Sequence, residues 1–203
     1  MDNAVIACVQ GWALGTGFWD PMRKRLPYDS VTVDLSCPDL AVLPADRPVV
    51  AVGHSTGVLW LLADRPFPWA GVVSINGFSR FYQGGGFPNG VPARVIGRMR
   101  QGLRLNALRV VYDFLARCGV KDGTTDWPTA RLDWGLELLM SLDVRGRDFG
   151  PMLALAGRDD PIAPLALVRD CFSEIQVMDG GHLLPQTDPA GCASRIRDFV
   201  EGL

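Results

Sequence analysis

The sequence predicts an α/β fold built on a doubly wound, mostly parallel sheet. Ala4–Val9 is apolar without alternation, as expected of a strand buried on both faces. Similar runs recur at Val49–Val52, Gly71–Ile75 and Met152–Ala156. Helical patterns separate several of these runs, and strands that alternate with helices pair in parallel.

The elements follow in order. Ala4–Val9 ends in Gln10-Gly11, and Phe18–Leu26 reads as a short helix. Ser30–Leu35 is a second strand, rich in β-branched residues. The third, Val49–Val52, runs into Gly53-His54-Ser55-Thr56-Gly57 and a helical pattern over Val58–Asp64. Gly71–Ile75, Met152–Ala156 and Glu174–Met178 are the fourth to sixth strands. Ala190–Val200 closes the chain as an amphipathic helix. The alternation breaks between Phe78 and Gly150, where two helical stretches, roughly Arg94–Cys118 and Thr129–Leu142, have no strand between them. Phe78 to about Cys118 reads as a helical cap over the strand ends, with Gly84-Gly85-Gly86 as a flexible joint. A single domain over 1–203 is expected, since 203 residues make one sizeable core more readily than two.

Composition narrows the function classes. Hydrophobic residues make up 48% and charged residues 21%, a globular balance that excludes disorder. The net charge of -2 argues against a nucleic-acid binder. No apolar run has the roughly 18 residues of a membrane span, and Met1-Asp2-Asn3 lacks the basic start of a secretory signal. The five cysteines are scattered without a CxxC pair, so a reducing cytoplasm is expected, with no disulfide framework and no metal site. No cofactor is implied.

Gly53-His54-Ser55-Thr56-Gly57 matches G-x-S-x-G, and its place between an apolar strand and a helix is the context that motif requires. There a sharp turn lifts the serine hydroxyl above the sheet, making Ser55 the candidate nucleophile. A serine needs a base, and the chain has two histidines. His54 adjoins Ser55 and should point away from its hydroxyl. His182 follows the last strand in the loop Asp179-Gly180-Gly181-His182, where a base is expected. The loop after the preceding strand, Gly157-Arg158-Asp159-Asp160-Pro161-Ile162, offers two carboxylates. The G-x-x-D-x-[IV] spacing selects Asp160, leaving Asp159 as a helix N-terminal carboxylate or a surface residue. The order Ser, Asp, His is that of the α/β-hydrolase class. The oxyanion hole would use the backbone N–H of Thr56 and one from the first loop, Trp12, with Gly11 allowing close approach. A core tryptophan is an equally good reading of Trp12.

Taken together, these segments resemble the pimeloyl-acyl-carrier-protein methyl ester esterases of biotin synthesis, within the α/β-hydrolase fold. The likeness runs through Gly11-Trp12…Phe18-Trp19, the Gly53–Gly57 turn and Phe81…Phe87-Pro88-Asn89-Gly90…Leu103…Phe114-Leu115. It continues through Leu132-Asp133-Trp134-Gly135-Leu136…Asp143-Val144-Arg145, Gly157…Asp160-Pro161-Ile162 and Gly181-His182. The Leu132–Arg145 stretch is its most specific part, because generic hydrolases lack it. The resemblance implies hydrolysis of a pimeloyl-type methyl ester carried on acyl-carrier protein, without cofactor or metal. It also implies that Met99, Arg100 and Leu103, with Trp12, line the substrate channel. Two departures stand out. Gln10 replaces the histidine of many members, and the first strand corresponds to the one usually counted third. A trimmed sheet of about six strands with a small cap is therefore expected.

Between Arg80 and Tyr112 there are six arginines and no Asp, Glu or Lys. Such a basic face suits an acidic partner. The resemblance makes that partner acyl-carrier protein, with Arg94, Arg98, Arg104 and Arg109 as docking residues. A solvated surface whose arginines pair with acids elsewhere is the alternative. So, for the function as a whole, are a general small-ester carboxylesterase or thioesterase and a non-catalytic binding module.

Overall fold

The computed structural model describes residues 1, 3–121 and 123–203. Six strands form one sheet in the order β2-β1-β3-β4-β5-β6, and every neighbouring pair is parallel. They are β1 (Val5–Val9), β2 (Asp29–Thr32), β3 (Val49–His54), β4 (Gly71–Ile75), β5 (Met152–Gly157) and β6 (Gln176–Met178). β1, β3 and β4 are buried at every position, which is why their sequences do not alternate. The edge strands β2 and β6 are short and partly exposed. β2 ends before its expected limit at Leu35, although Val33 N–H still reaches Cys8 O at 2.9 Å.

The chain leaves β1 toward β2 on one side, then returns to place β3 on the other. The strand order reverses at β1, and the crevice beyond the carboxyl ends of β1 and β3 is where open α/β sheets bind ligands.

The helices are α1 (Asp20–Arg23), α2 (Thr56–Asp64), α3 (Ala93–Arg117), α4 (Thr129–Ser141), α5 (Leu165–Cys171), α6 (Leu184–Thr187) and α7 (Pro189–Glu201). The expected helix over Phe18–Leu26 is instead a 3-10 turn, Thr16–Trp19, followed by the short α1. α3 is two arms. Asn106 departs from helical geometry (φ -157°, ψ 89°), and its Oδ1 accepts from Arg109 N–H at 3.0 Å, capping the second arm. A Cβ on Gly102 would lie 2.7 Å from Val110 Cγ2, so the arms fold toward each other around Asn106. α4 packs against α3 and against α2.

The three glycines are not a flexible joint. Gly84 and Phe87 exchange backbone hydrogen bonds (2.8 and 3.4 Å), which makes the segment a tight turn with Gly86 at φ +69°. The Arg80 guanidinium fixes it further, bonding to Asp143 at 2.7 Å and lying over the rings of Tyr82 and Phe87.

Candidate functional site

Ser55 stands between β3 and α2 at φ 52°, ψ -120°. That region suits glycine, and a serine held there costs about 1–3 kcal/mol. The surroundings impose the turn. A Cβ on Gly57 would run into the carbonyl oxygens of Val9 and Gln10, and Ser55 N–H is tied to Ile75 O at 3.1 Å. From β1, Gly11 presses on the same turn, so close that a Cβ there would lie 2.8 Å from His54 Nδ1 and 3.0 Å from Ser55 Cβ.

Asp160 and His182 come together as a buried pair. His182 Nδ1–H donates to Asp160 Oδ2 at 2.7 Å, and both side chains are 1% exposed. Asp160 Oδ1 accepts from Ile162 N–H (2.7 Å) and Ala163 N–H (2.9 Å), so the carboxylate cannot turn. The bond to a carboxylate puts the proton of a neutral imidazole on Nδ1 and leaves the free lone pair on Nε2. Among the described residues, buried Nε2 has no hydrogen-bond partner. Ser55 makes no hydrogen bond to it; such contacts are commonly long in free enzymes and tighten around substrate. Asp159, one residue away, is exposed.

Ser55, Thr56 and Trp12 line one cavity of about 340 Å³. Phe114 completes the wall, with its ring 4.9 Å from Trp12 and 6.4 Å from His182. The backbone N–H groups of Trp12 and Thr56 take no acceptor among the described residues. The Trp12 indole donates to Leu132 O at 2.8 Å, joining the β1 loop to α4. Trp12 is therefore both buried core and cavity wall.

The cap residues divide. Met99 lines the cavity, together with Val95 and Ile96. Arg100 does not: its guanidinium makes two 2.7 Å bonds to Asp133 and approaches Glu137 at 3.6 Å. That pairing holds the Asp133 carboxyl below the usual carboxylate range. Leu103 is buried in the core away from the cavity.

The basic face is smaller than the sequence count. Arg80 pairs with Asp143, Arg100 with Asp133, and Arg109 with Asp113 at 3.0 Å. All three acids lie outside the arginine-rich window. Arg94, Arg98 and Arg104 are exposed and form no ion pair among the described residues, although the charge of Arg104 reaches Asp133.

Sequence reasoning missed Asn76, Asn89 and Arg117. Asn89 and Arg117 line the cavity, and Arg117 donates to Pro161 O at 3.4 Å. Asn76 is fully buried just beyond β4; a polar residue between the end of an apolar strand and Gly77 was the available signal.

Burial pushes the thiols of Cys8, Cys118 and Cys192 up to about 12, so none supplies a thiolate nucleophile near neutral pH. Among the described residues, no group of three or more His, Cys, Asp or Glu side chains could hold a metal ion, and no helix is long and apolar enough to cross a membrane.

No protein-family model matches this chain, and no curated protein sequence does. Solved structures do. The chain is similar to an esterase from Exiguobacterium antarcticum (TM-score 0.81, 12% identity, covering 98% of this chain and 92% of that one). It is similar to the enol-lactonase from Burkholderia xenovorans (TM-score 0.79, 14% identity, 99% and 92% covered). It also resembles BioG from Haemophilus influenzae (TM-score 0.63, 15% identity, 89% of each chain). With the six-stranded parallel sheet, these likenesses establish the α/β-hydrolase fold.

Proposed function

We propose that this chain is a serine hydrolase of carboxylic esters, and that its substrate is the methyl ester of a pimeloyl-type acyl chain on acyl-carrier protein. One observation carries the hydrolase reading. Ser55 is held on a strained strand-to-helix turn, the ring of the preceding His54 lies 4.7 Å from that of His182, and His182 is bonded to buried Asp160 with its Nε2 unpartnered among the described residues.

In the mechanism, Ser55 Oγ attacks the ester carbonyl carbon while its proton passes to His182 Nε2. The N–H groups of Trp12 and Thr56 stabilise the oxyanion. Collapse breaks the C–O bond, and methanol leaves with the proton from His182. Water then gives a proton to His182 and attacks the acyl-Ser55 carbonyl. The acid departs, and Ser55 recovers its proton. Asp160 holds the imidazole tautomer and stabilises the imidazolium.

The finer reading draws on the Leu132–Arg145 likeness and on the apolar cavity, whose walls include Phe78, Phe81, Ile96 and Met99. It also draws on Arg94, Arg98 and Arg104, which form no ion pair among the described residues. Two leucines stand out beside these charges, Leu105 (89% exposed) and Leu108 (71% exposed). A basic rim around exposed apolar side chains suits an acidic protein surface, and carrier proteins are acidic.

The test has two parts. A fluorophosphonate probe should modify Ser55, as read by peptide mass spectrometry, and failure to label overturns the serine mechanism. Turnover of pimeloyl-carrier-protein methyl ester is then compared with that of free short-chain esters. A higher kcat/KM for the carrier-bound ester supports the assignment. Preference for free esters or thioesters would make this a general carboxylesterase or thioesterase.

A further inference from the structure

We infer that Asn76 is a positioning residue for His182, acting with His54 by gripping the backbone of the loop that carries the imidazole. The inference rests on the reading of His182 as the base.

Asn76 follows β4, between the strands that precede the serine and the acid. Its amide reaches both neighbouring loops. Nδ2 donates to Gly181 O at 2.9 Å and to His182 O at 2.7 Å, using both of its hydrogens. Oδ1 accepts from Gly157 N–H at 2.7 Å, at the end of β5 and three residues before Asp160. The network fixes the orientation of the amide, because a flip would set its oxygen against two carbonyls and its NH2 against an N–H. One side chain thus ties the start of the acid loop to the backbone of the base.

His54 makes the second hold. Its Nε2–H donates to His182 O at 2.8 Å, so that carbonyl receives two buried donors, one for each lone pair. The His54 ring lies 4.7 Å from the His182 ring, packed between it and Phe18. Burial holds His54 neutral, as does the neighbouring imidazole. The grip therefore adds no positive charge beside an imidazole that must itself become cationic.

The backbone pinned in this way carries the imidazole. His182 Nδ1 is fixed to Asp160, but nothing among the described residues holds Nε2. The aim of Nε2 toward Ser55 thus depends on where the Asp160 bond and the His182 main chain place the ring. A displacement of the order of 1 Å at such a site costs about a hundredfold in rate.

Asn76 sits at φ 49°, a conformation that glycine adopts freely. Asn76→Gly therefore removes the side chain without adding backbone strain. We expect this variant to fold with a cooperative thermal transition and to lose at least about tenfold in kcat on a free ester, with KM nearly unchanged. Asn76→Asp keeps the acceptor for Gly157 but sets an oxygen against both carbonyls, so it should not restore the rate. A separate reading is the low-field proton NMR signal of His182 Nδ1–H, which should broaden or shift in Asn76→Gly and stay sharp in Ser55→Ala. It needs no turnover, so it tests the grip even if the esterase reading fails. If Asn76→Gly does not fold, His54→Phe, which removes the other donor but keeps an aromatic ring, should lower kcat severalfold and disturb the same signal. Wild-type kcat together with an unchanged signal in Asn76→Gly would overturn the proposal, as would rescue by Asn76→Asp.

Discussion

Asp160 and Asp159 are neighbours in the chain, yet only Asp160 turns inward, where it accepts the Nδ1 proton of His182 at 2.7 Å. The turn has a local cause: its other oxygen is taken by the N–H groups of Ile162 and Ala163. In Asp160→Asn the amide oxygen would keep those two bonds, and the NH2 would face His182. The imidazole would then hold its proton on Nε2, the wrong side for a base. We expect kcat to fall about ten-thousandfold, whereas Asp159→Asn should stay within about twofold. Steady-state kinetics on one ester, with both variants at matched folded fraction, decides the ranking.

Ser55 offers a test in which stability and activity part. Ser55→Ala keeps the strained backbone and should lose at least about a thousandfold in kcat at nearly unchanged stability. Ser55→Gly should be equally inactive but more stable by about 1 kcal/mol, because glycine tolerates φ 52°. Urea unfolding of the three proteins measures the difference. Equal stabilities for the glycine and alanine variants would mean that the turn carries no strain.

Thiol reagents should separate the cysteines from the chemistry. Burial raises Cys8, Cys118 and Cys192 to about 12 and also raises Cys171, while Cys37 is exposed. Iodoacetamide at mildly alkaline pH should alkylate Cys37 first, by peptide mass spectrometry, with at least about nine-tenths of the proposed ester-hydrolysis rate retained.

Two groups set separate pH windows for stability. The buried His54 has its folded value well below the ordinary histidine value, chiefly by desolvation. The unfolded chain then binds the extra proton. The His54 contribution is complete above about pH 6.5 and is lost as pH falls from there toward the folded value. Asp143 is held at about 2, first by its hydrogen bonds to Arg145 and also by Arg80. Its contribution is present above about pH 3.8 and fades as pH falls through about 2. Urea midpoints taken between pH 7 and 5 should fall for the wild type and be flatter for His54→Phe. Parallel slopes would show that His54 titrates alike in both states.

The parts that were legible in the sequence share a physical basis. β1, β3, β4 and β5 are mostly apolar and do not alternate because both faces are covered, and the turns after β1, β3 and β5 hold Gly11, Ser55 and Asp160. Residues whose partners are distant were not legible. Arg100 meets Asp133 only because α4 lies beside α3, and a window count of charge cannot include an acid 33 residues away. The break at Asn106 was hidden in a stretch that reads as one continuous helix. α5 was missed because seven residues after Pro164 give too little periodicity. Asn76 had a visible position but no visible partners, since the carbonyls it holds lie more than a hundred residues further on.

The same pairing sharpens the test of the cap. Arg98 and Arg104 make no ion pair among the described residues, while Arg109 is bonded to Asp113 and Arg100 to Asp133. If the cap docks an acidic carrier, an unpaired arginine presents a full charge to it, and a paired one presents less. Arg98→Glu and Arg104→Glu should each raise KM for the carrier-bound ester severalfold at low salt, and Arg109→Glu should raise it less. None should change kcat on a small free ester, because the cavity residues are untouched. The KM differences should shrink toward the wild type as salt rises, since exposed charges are screened beyond about 8 Å at physiological ionic strength. Replacing Leu105 and Leu108 together by serine should also raise KM for the carrier ester, but with little dependence on salt, because an apolar contact is not screened. Equal kinetics for all these variants at low salt would make the arginines a solvated surface, and the general esterase reading would then take precedence.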